Sequence, residues 1–303
     1  MSTSASDAAT RERSRVALVT CGALPDLDPD DRLLRAALQQ RGVRADAAVW
    51  DDPATDWTRY DLVVLRSPWD YPARHAEFLD WASRVPRLAN PAEVVTWNTD
   101  KTYLRDLAAA GVTVVPTDWV PPGTPWTPPA AGEYVVKPTV SAGSRDTGRY
   151  DLADAAQRAL AAGHVERLTG SGRTAMVQPY LSAVDTAGET ALLWLAEPGG
   201  RLTFSHAVRK GPLLDGPDTG DEELYRPEHI TARTATAAEL AAARQVLAAV
   251  PDGDALLYAR VDLIPGPDGA PVLLELELTE PSLFLGYADE APARLAAAIV
   301  TRL

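Results

Sequence analysis

The sequence predicts an α/β protein: a doubly wound parallel-sheet lobe first, then α+β lobes built on antiparallel strands. Two observations carry this. Over residues 14–97, strand-like apolar runs alternate with helical ones, the pattern of a parallel sheet covered by helices. Farther on, apolar runs flank Pro-Gly-Gly and Asp-Gly, which is hairpin chemistry.

The elements follow in order. MSTSASDAATRERSR is polar and small and lacks the apolar centre of a signal peptide, so residues 1–13 are expected to be a disordered tail. RVALVT is a buried strand. DPDDRLLRAALQQRG is a helix capped by Asp28, with Pro29 in its first position and Gly42 at its end. VRADAAVW and YDLVVLR are strands, and HAEFLDWASRV is a helix. NTDKTYLRDLAAAG is a capped helix that puts Lys101 in its first turn. VTVVPTDWV is a strand, PPGTPWTPPAAG a surface connection, EYVVKP a strand and TVSAGSRDTGRY a small-residue loop. A helix over 152–162 and a strand over 175–181 come next. LLWLAEPGGRLTFSHAV is a hairpin, and residues 211–229 are an acidic, breaker-rich segment expected to be mobile. A helix over 237–249, a hairpin and a helix over 290–302 close the chain.

Composition excludes some partners. A net charge of -13 argues against nucleic acid and anionic membranes, which need a basic face. One cysteine, Cys21, allows no internal disulfide and fits a reducing cytoplasm. No apolar run approaches the roughly 18 residues of a spanning helix. The expectation is a cytoplasmic protein with a small-molecule partner, with a homodimer left open.

The chemistry concentrates in VDLIPGPDGAPVLLELELTEPSLF. If Asp268-Gly269 forms a two-residue turn, Asp262 lies opposite Glu275 and Arg260 opposite Glu277. Directly opposed residues share a sheet face. All four charges then sit on one face, and Leu274, Leu276 and Leu278 on the other. Opposed carboxylates repel, and a hard divalent cation such as Mg²⁺ would offset that. The plain alternative is a polar strand face turned to solvent.

Other segments supply parts of a nucleotide site. A lysine at a helix N-terminus, as Lys101 is placed, is disfavoured unless an anion binds there. Lys137 ends a strand directly before a loop whose small residues, Ser141 and Ser144 among them, would admit phosphate oxygens. No GxxxxGK[ST] P-loop is present. MVQPYL is extended and offers backbone groups to an adenine edge, with Asp185 or Glu189 reaching ribose hydroxyls. RSPWDYP follows the third strand, where open α/β sheets bind ligands; Arg66, Trp69 and Asp70 would meet a zwitterion there, or simply pack on the prolines. His206 lacks metal-site partners in the sequence, and Cys21 reads as packing.

In this order the segments resemble the ATP-grasp superfamily, in its glutathione-synthetase-like branch, over residues 14–303. WNTDKTYLRDLAAAGV, YVVKP with its loop, MVQPYL, GETALLWL, SHAVRKGP and YARVDL…VLLELELTEPSLF carry the likeness. The resemblance implies an N-terminal α/β domain over 14–97 and an ATP-grasp domain over 98–303. The latter comprises a small lid at about 112–182 and a C-terminal antiparallel-sheet lobe, with ATP gripped between them. It implies that Lys101 and Lys137 bind phosphates and that Gln178, Tyr180 and Leu181 form the adenine hinge. Asp262, Glu275 and Glu277 would hold Mg²⁺; many relatives have Asn at the last position. Arg260 would steady the reacting carbonyl, with Arg209 and Lys210 near the γ-phosphate or substrate. RSPWDYP and LELELTEPSLF, with Ser282, look closest to a group that includes the cyclo-ligase of D-cycloserine biosynthesis.

The expected activity is an ADP-forming ligase. It would activate a carboxylate-like group of an amino-acid-type substrate as an acyl phosphate and join it to an amine. Its alternatives are an intramolecular cyclo-ligase of the D-cycloserine (O-ureido-D-serine) type and a non-catalytic nucleotide-binding protein. A Rossmann oxidoreductase is disfavoured, because no G-x-G-x-x-G follows the first strand.

Overall fold

The computed structural model describes residues 14–220, 224–225 and 228–303. The expected tail at 1–13 lies outside the described residues, as do residues 221–223 and 226–227 of the expected mobile segment.

The first sheet forms from β1 (Arg15–Thr20), β2 (Arg44–Val49), β3 (Leu62–Ser67) and β4 (Leu88–Ala89), in the order β2-β1-β3-β4 and parallel throughout. Strands buried on both faces read as continuous apolar runs, which is why β1 and β3 stood out in the sequence. α1 (Pro29–Gln39) starts as its cap residues dictate: the Asp28 carboxylate accepts from the Asp30 amide, and Pro29 is at the first position. α2 (His75–Arg84) packs on the same sheet through Phe78 and Trp81.

Two short helices follow, α3 (Ala92–Asn98) and α4 (Tyr103–Ala109). Lys101 is therefore not in a helical first turn. It lies in the tight turn before α4, where Asp100 accepts from the Thr102 amide at 2.9 Å.

A second group holds β5 (Asp118–Val120), β6 (Glu133–Pro138), β7 (Gly148–Asp151), α5 (Ala155–Gly170) and β8 (Ala175–Pro179), with antiparallel strand order β5-β8-β6-β7. The strand expected over 112–120 is divided by Pro116. Its last residues join β8. Thr113 and Val115 instead exchange hydrogen bonds with Leu273. α5 begins at its Asp154 cap and runs past the expected Ala162 end, tolerating Gly163.

The third group follows: α6 (Ala183–Ala187), β9 (Glu189–Ala196), β10 (Leu202–Lys210), β11 (Ile230–Arg233), α7 (Ala237–Ala248), β12 (Tyr258–Pro265), β13 (Pro271–Glu277) and α8 (Ala291–Val300). Its antiparallel sheet runs β11-β10-β9-β12-β13. α7 opens with a capping box, Thr236 and Glu239 each bonding the other's backbone.

The sheet's two faces read directly from period two. Leu192, Trp194, Val261, Leu276 and Leu278 pack on α4 and α7. Leu193, Leu195, Val208 and Tyr258 face α1, α8 and the first sheet. Continuing along this second face, the apolar residues give way to Lys210, Glu189, Arg260, Asp262, Glu275 and Glu277, and there a cavity opens.

The last hairpin carries two departures that cancel. The turn is one residue longer than expected: Pro265 pairs with Pro271, Gly266 and Ala270 close the loop, and Gly269 takes φ +79°. A register shift after Asp262 then absorbs the offset, so Asp262 faces Glu275 and Arg260 faces Glu277 as expected. The bulge turns Leu274 out of the leucine row and into the cavity wall, beside Tyr180 and Leu181.

Candidate active site

The cavity has a volume of about 510 Å³ and lies between the three sheets. Val115, Val184, Ile264 and Leu274 make one end apolar, with Tyr180 and Leu181 beside them. Its middle is charged, and its far end is formed by α1, the turn after β3 and the segment after β13.

In the middle, each hairpin carboxylate faces a cation. Glu275 Oε1 lies 3.2 Å from Lys101 Nζ, which also donates to the Ser141 carbonyl at 2.9 Å. Burial pushes the Glu275 carboxyl up, but Lys101 and Lys137 outweigh it and hold the group below its ordinary value. Asp262 accepts two Arg260 nitrogens at 2.9 Å and Lys210 Nζ at 3.3 Å. It too is held low, Arg260 and Lys210 overcoming desolvation. Glu277 hydrogen-bonds Arg260; burial and the neighbouring Glu275 and Asp262 still raise it to about 8. Lys210 Nζ further meets Glu189 at 3.1 Å and Glu228 at 3.5 Å. Burial alone would lower the Lys210 pKa, but these acids lift it well above its usual value.

Lys137 differs. It is 8% exposed and makes no ion pair among the described residues. Burial pulls its ammonium below the ordinary lysine value, and Lys101 and Lys210 add to that. Glu275 offsets this only in part, from beyond ion-pair distance, and a buried cation so placed is costly unless an anion comes to it.

Magnesium fits part of this set. It takes oxygen ligands, usually one or two carboxylates plus phosphate oxygens. Glu275 and Glu277 line the cavity with partly exposed side chains. Asp262 is 1% exposed and its oxygens are taken by Arg260 and Lys210. Among the described residues no three acids, histidines or cysteines converge as a cage. The donor set therefore suits an ion shared with phosphates.

Of the other expected residues, Lys101, Lys137, Ser141, Ser144, Gln178, Tyr180, Leu181, Glu189, Lys210, Arg260, Trp69 and Ser282 line the cavity. Gln178 donates to Thr117 at 2.9 Å. Besides the buried Asp262, four expected residues do not line it. Asp185 accepts the Tyr180 hydroxyl at 2.5 Å and Arg149 at 3.4 Å. Arg209, one residue out of phase with Lys210, donates to the Ala187 and Thr186 carbonyls and so braces the end of α6. Arg66 is 1% exposed and binds Asp31 and the Pro281 carbonyl, both at 2.8 Å. Asp70 accepts the Trp50 indole at 2.8 Å and faces Arg74. Arg66 and Asp70 thus stabilise the turn; the zwitterion expected of them would find neither. His206 binds the carbonyls of Leu283 and Phe284, and Cys21 is core.

Sequence reasoning missed Glu280, Tyr71 and Glu228. Glu280 lies three residues past the end of β13, where the strand's alternation has stopped. Tyr71 reads as proline packing; in the structure it is 2% exposed and lines the cavity beside Glu280.

Comparison with known proteins agrees with this architecture. The family model described as the N-terminal domain of D-cycloserine synthetase DcsG matches residues 16–90. The cycloserine biosynthesis protein DcsG of Streptomyces lavendulae is 39% identical over 308 residues, covering 95% of this chain and 98% of that one. The crystal structure of D-cycloserine synthetase DcsG superposes with a TM-score of 0.83 at 38% identity, covering 95% and 99%. An ATP-grasp RimK domain protein from Sphaerobacter thermophilus gives 0.64 at 19% identity, covering 95% and 98%, a likeness of fold.

Proposed function

This chain belongs to the D-cycloserine synthetase DcsG family within the ATP-grasp superfamily and is an ATP-dependent ligase, and from that premise we propose that it closes one amino-acid-type substrate into a ring. The substrate carboxylate attacks the γ-phosphorus of ATP, and ADP leaves. A nitrogen of the same molecule then attacks the acyl phosphate, loses a proton, and expels phosphate. Identity sustained over nearly the whole length of a cycloserine biosynthesis protein favours ring closure over joining two molecules.

The carrying observation is Lys137, buried and with no ion pair among the described residues, beside Lys101 and the small-residue loop. That is a phosphate-shaped deficit of charge. The adenine base fits the apolar end beside Tyr180, Leu181 and Leu274. A magnesium ion held by Glu275 and Glu277 would neutralise phosphate charge. Lys101 and Lys137 grip the phosphates and disperse the charge that develops on transfer. Arg260, beside Glu277 and the Ser282 carbonyl, faces the developing carbonyl oxyanion.

ADP release with amino acids bearing a second nitrogen nucleophile, supplied singly and in pairs, tests the reading. One substrate consumed per ADP, with a cyclic product by mass spectrometry, is expected. A requirement for two different amino acids would replace ring closure by intermolecular ligation.

A further inference from the structure

Glu280 is set apart from the other acids of the cavity. Glu189, Glu228, Glu275, Glu277 and Asp262 each have a lysine or arginine within ion-pair distance. Asp28 and Asp30 also line the cavity, and they accept backbone amides, of Asp30 and Gly286 respectively. Glu280 forms no ion pair among the described residues, and Tyr71 lines the cavity beside it.

Its place is also held firmly. Trp69 donates its indole N–H to the Glu280 carbonyl at 3.0 Å, and Arg66 holds the next carbonyl, of Pro281, at 2.8 Å. Trp69, Tyr71 and Phe284 line the cavity around it. An unpaired carboxylate in a cavity that aromatic rings also line is the chemistry that receives an organic ammonium, by charge-assisted hydrogen bonding and by attraction to ring faces.

Resting on the reading of the cavity as an ATP-dependent site for an amino-acid-type substrate, we propose that Glu280, beside Tyr71, binds the substrate's amino group as its ammonium. With the amine placed there, the substrate carboxylate is the end left to point at the phosphates. Burial raises the Glu280 carboxyl to about 7 against the pull of Tyr71 and Lys101, as suits an acid whose cation arrives with the ligand.

Calorimetry on the full chain tests this with three probes: a non-hydrolysable ATP analogue, D-cycloserine, and isoxazolidin-3-one, which is the same ring without the amino group. Wild type should bind D-cycloserine more tightly than the amine-free ring. Glu280→Gln should weaken D-cycloserine by about tenfold or more, the scale of a charge-assisted bond, and leave the amine-free ring and the ATP analogue unchanged. Tyr71→Phe should weaken D-cycloserine by less, and it keeps the test open if Glu280→Gln melts early. Equal losses for both rings, or no loss for D-cycloserine, would overturn the assignment. Wild type that binds the ATP analogue but does not discriminate the two rings would also overturn it, leaving the nucleotide site standing. Failure to bind the ATP analogue at all would instead strike the reading of the cavity.

Discussion

Arg66 donates its Nε to Asp31 at 2.8 Å with both side chains buried, and the same guanidinium holds the Pro281 carbonyl. One residue thus ties the end of β3 to α1 and to the segment bearing Glu280. Arg66→Ala would leave a buried carboxylate unpaired. Removing one partner of such a pair costs about 3–5 kcal/mol. Urea denaturation should show that loss, with affinity for a non-hydrolysable ATP analogue little changed. Unaltered stability together with a raised substrate KM would return Arg66 to direct substrate contact.

Lys137 carries a cost in the nucleotide-free protein that Lys137→Met removes. Its folded pKa lies below the 10.5 of an ordinary lysine. Between the two values the unfolded chain binds more protons than the folded one, so stability rises with pH across that window. The variant should melt higher than wild type at neutral pH, lack that rise in alkaline solution, and bind ATP more weakly. A lower melting temperature with unchanged ATP affinity would mean that Lys137 has a structural partner.

Asp262 tests the opposite sign. Opposed carboxylates alone suggest that neutralising one would relieve repulsion. Arg260 and Lys210 reverse this, because Asp262→Asn leaves two buried cations short of an anion. The variant should lose about 3–5 kcal/mol of stability, the cost of breaking a buried pair. It should also lose ADP release. A variant as stable as wild type would show that the two cations find other anions, with Glu189 and Glu277 the nearest candidates.

Much of this was readable in the sequence because strands alternate. Val208 and Lys210 share a face, as do Arg260 and Asp262, and two offsets in the hairpin cancelled. What alternation does not give is the partner of a long side chain. Arg66 ends in a buried hydrogen bond to Asp31 and Asp70 in a part-buried one to Trp50, residues distant in sequence. Arg209 is one residue out of phase with Lys210, so alternation alone puts it on the opposite face of β10. Glu280 and Tyr71 lie past the ends of regular elements, where no period marks a face.

Gly143 shows how the cavity is covered. It sits in the small-residue loop after β6 with φ +62°, a conformation that side chains disfavour. A Cβ there would overlap the Leu224 carbonyl oxygen and lie 2.9 Å from Tyr225 Cα. Tyr225 in turn packs edge-on against Trp69, ring centroids 5.4 Å apart. The glycine therefore lets the phosphate-side loop, residues 224–225 and the turn after β3 meet over the cavity. Gly143→Ala must push residues 224–225 outward or strain its own backbone. Closure over a reactive acyl phosphate excludes water. The variant should release ADP and phosphate with less ring closed per ATP, while its melting temperature stays near that of wild type because the contact lies at the cavity mouth. The ratio of cyclic product to ADP measures this. An unchanged ratio would mean that residues 224–225 do not seal the site.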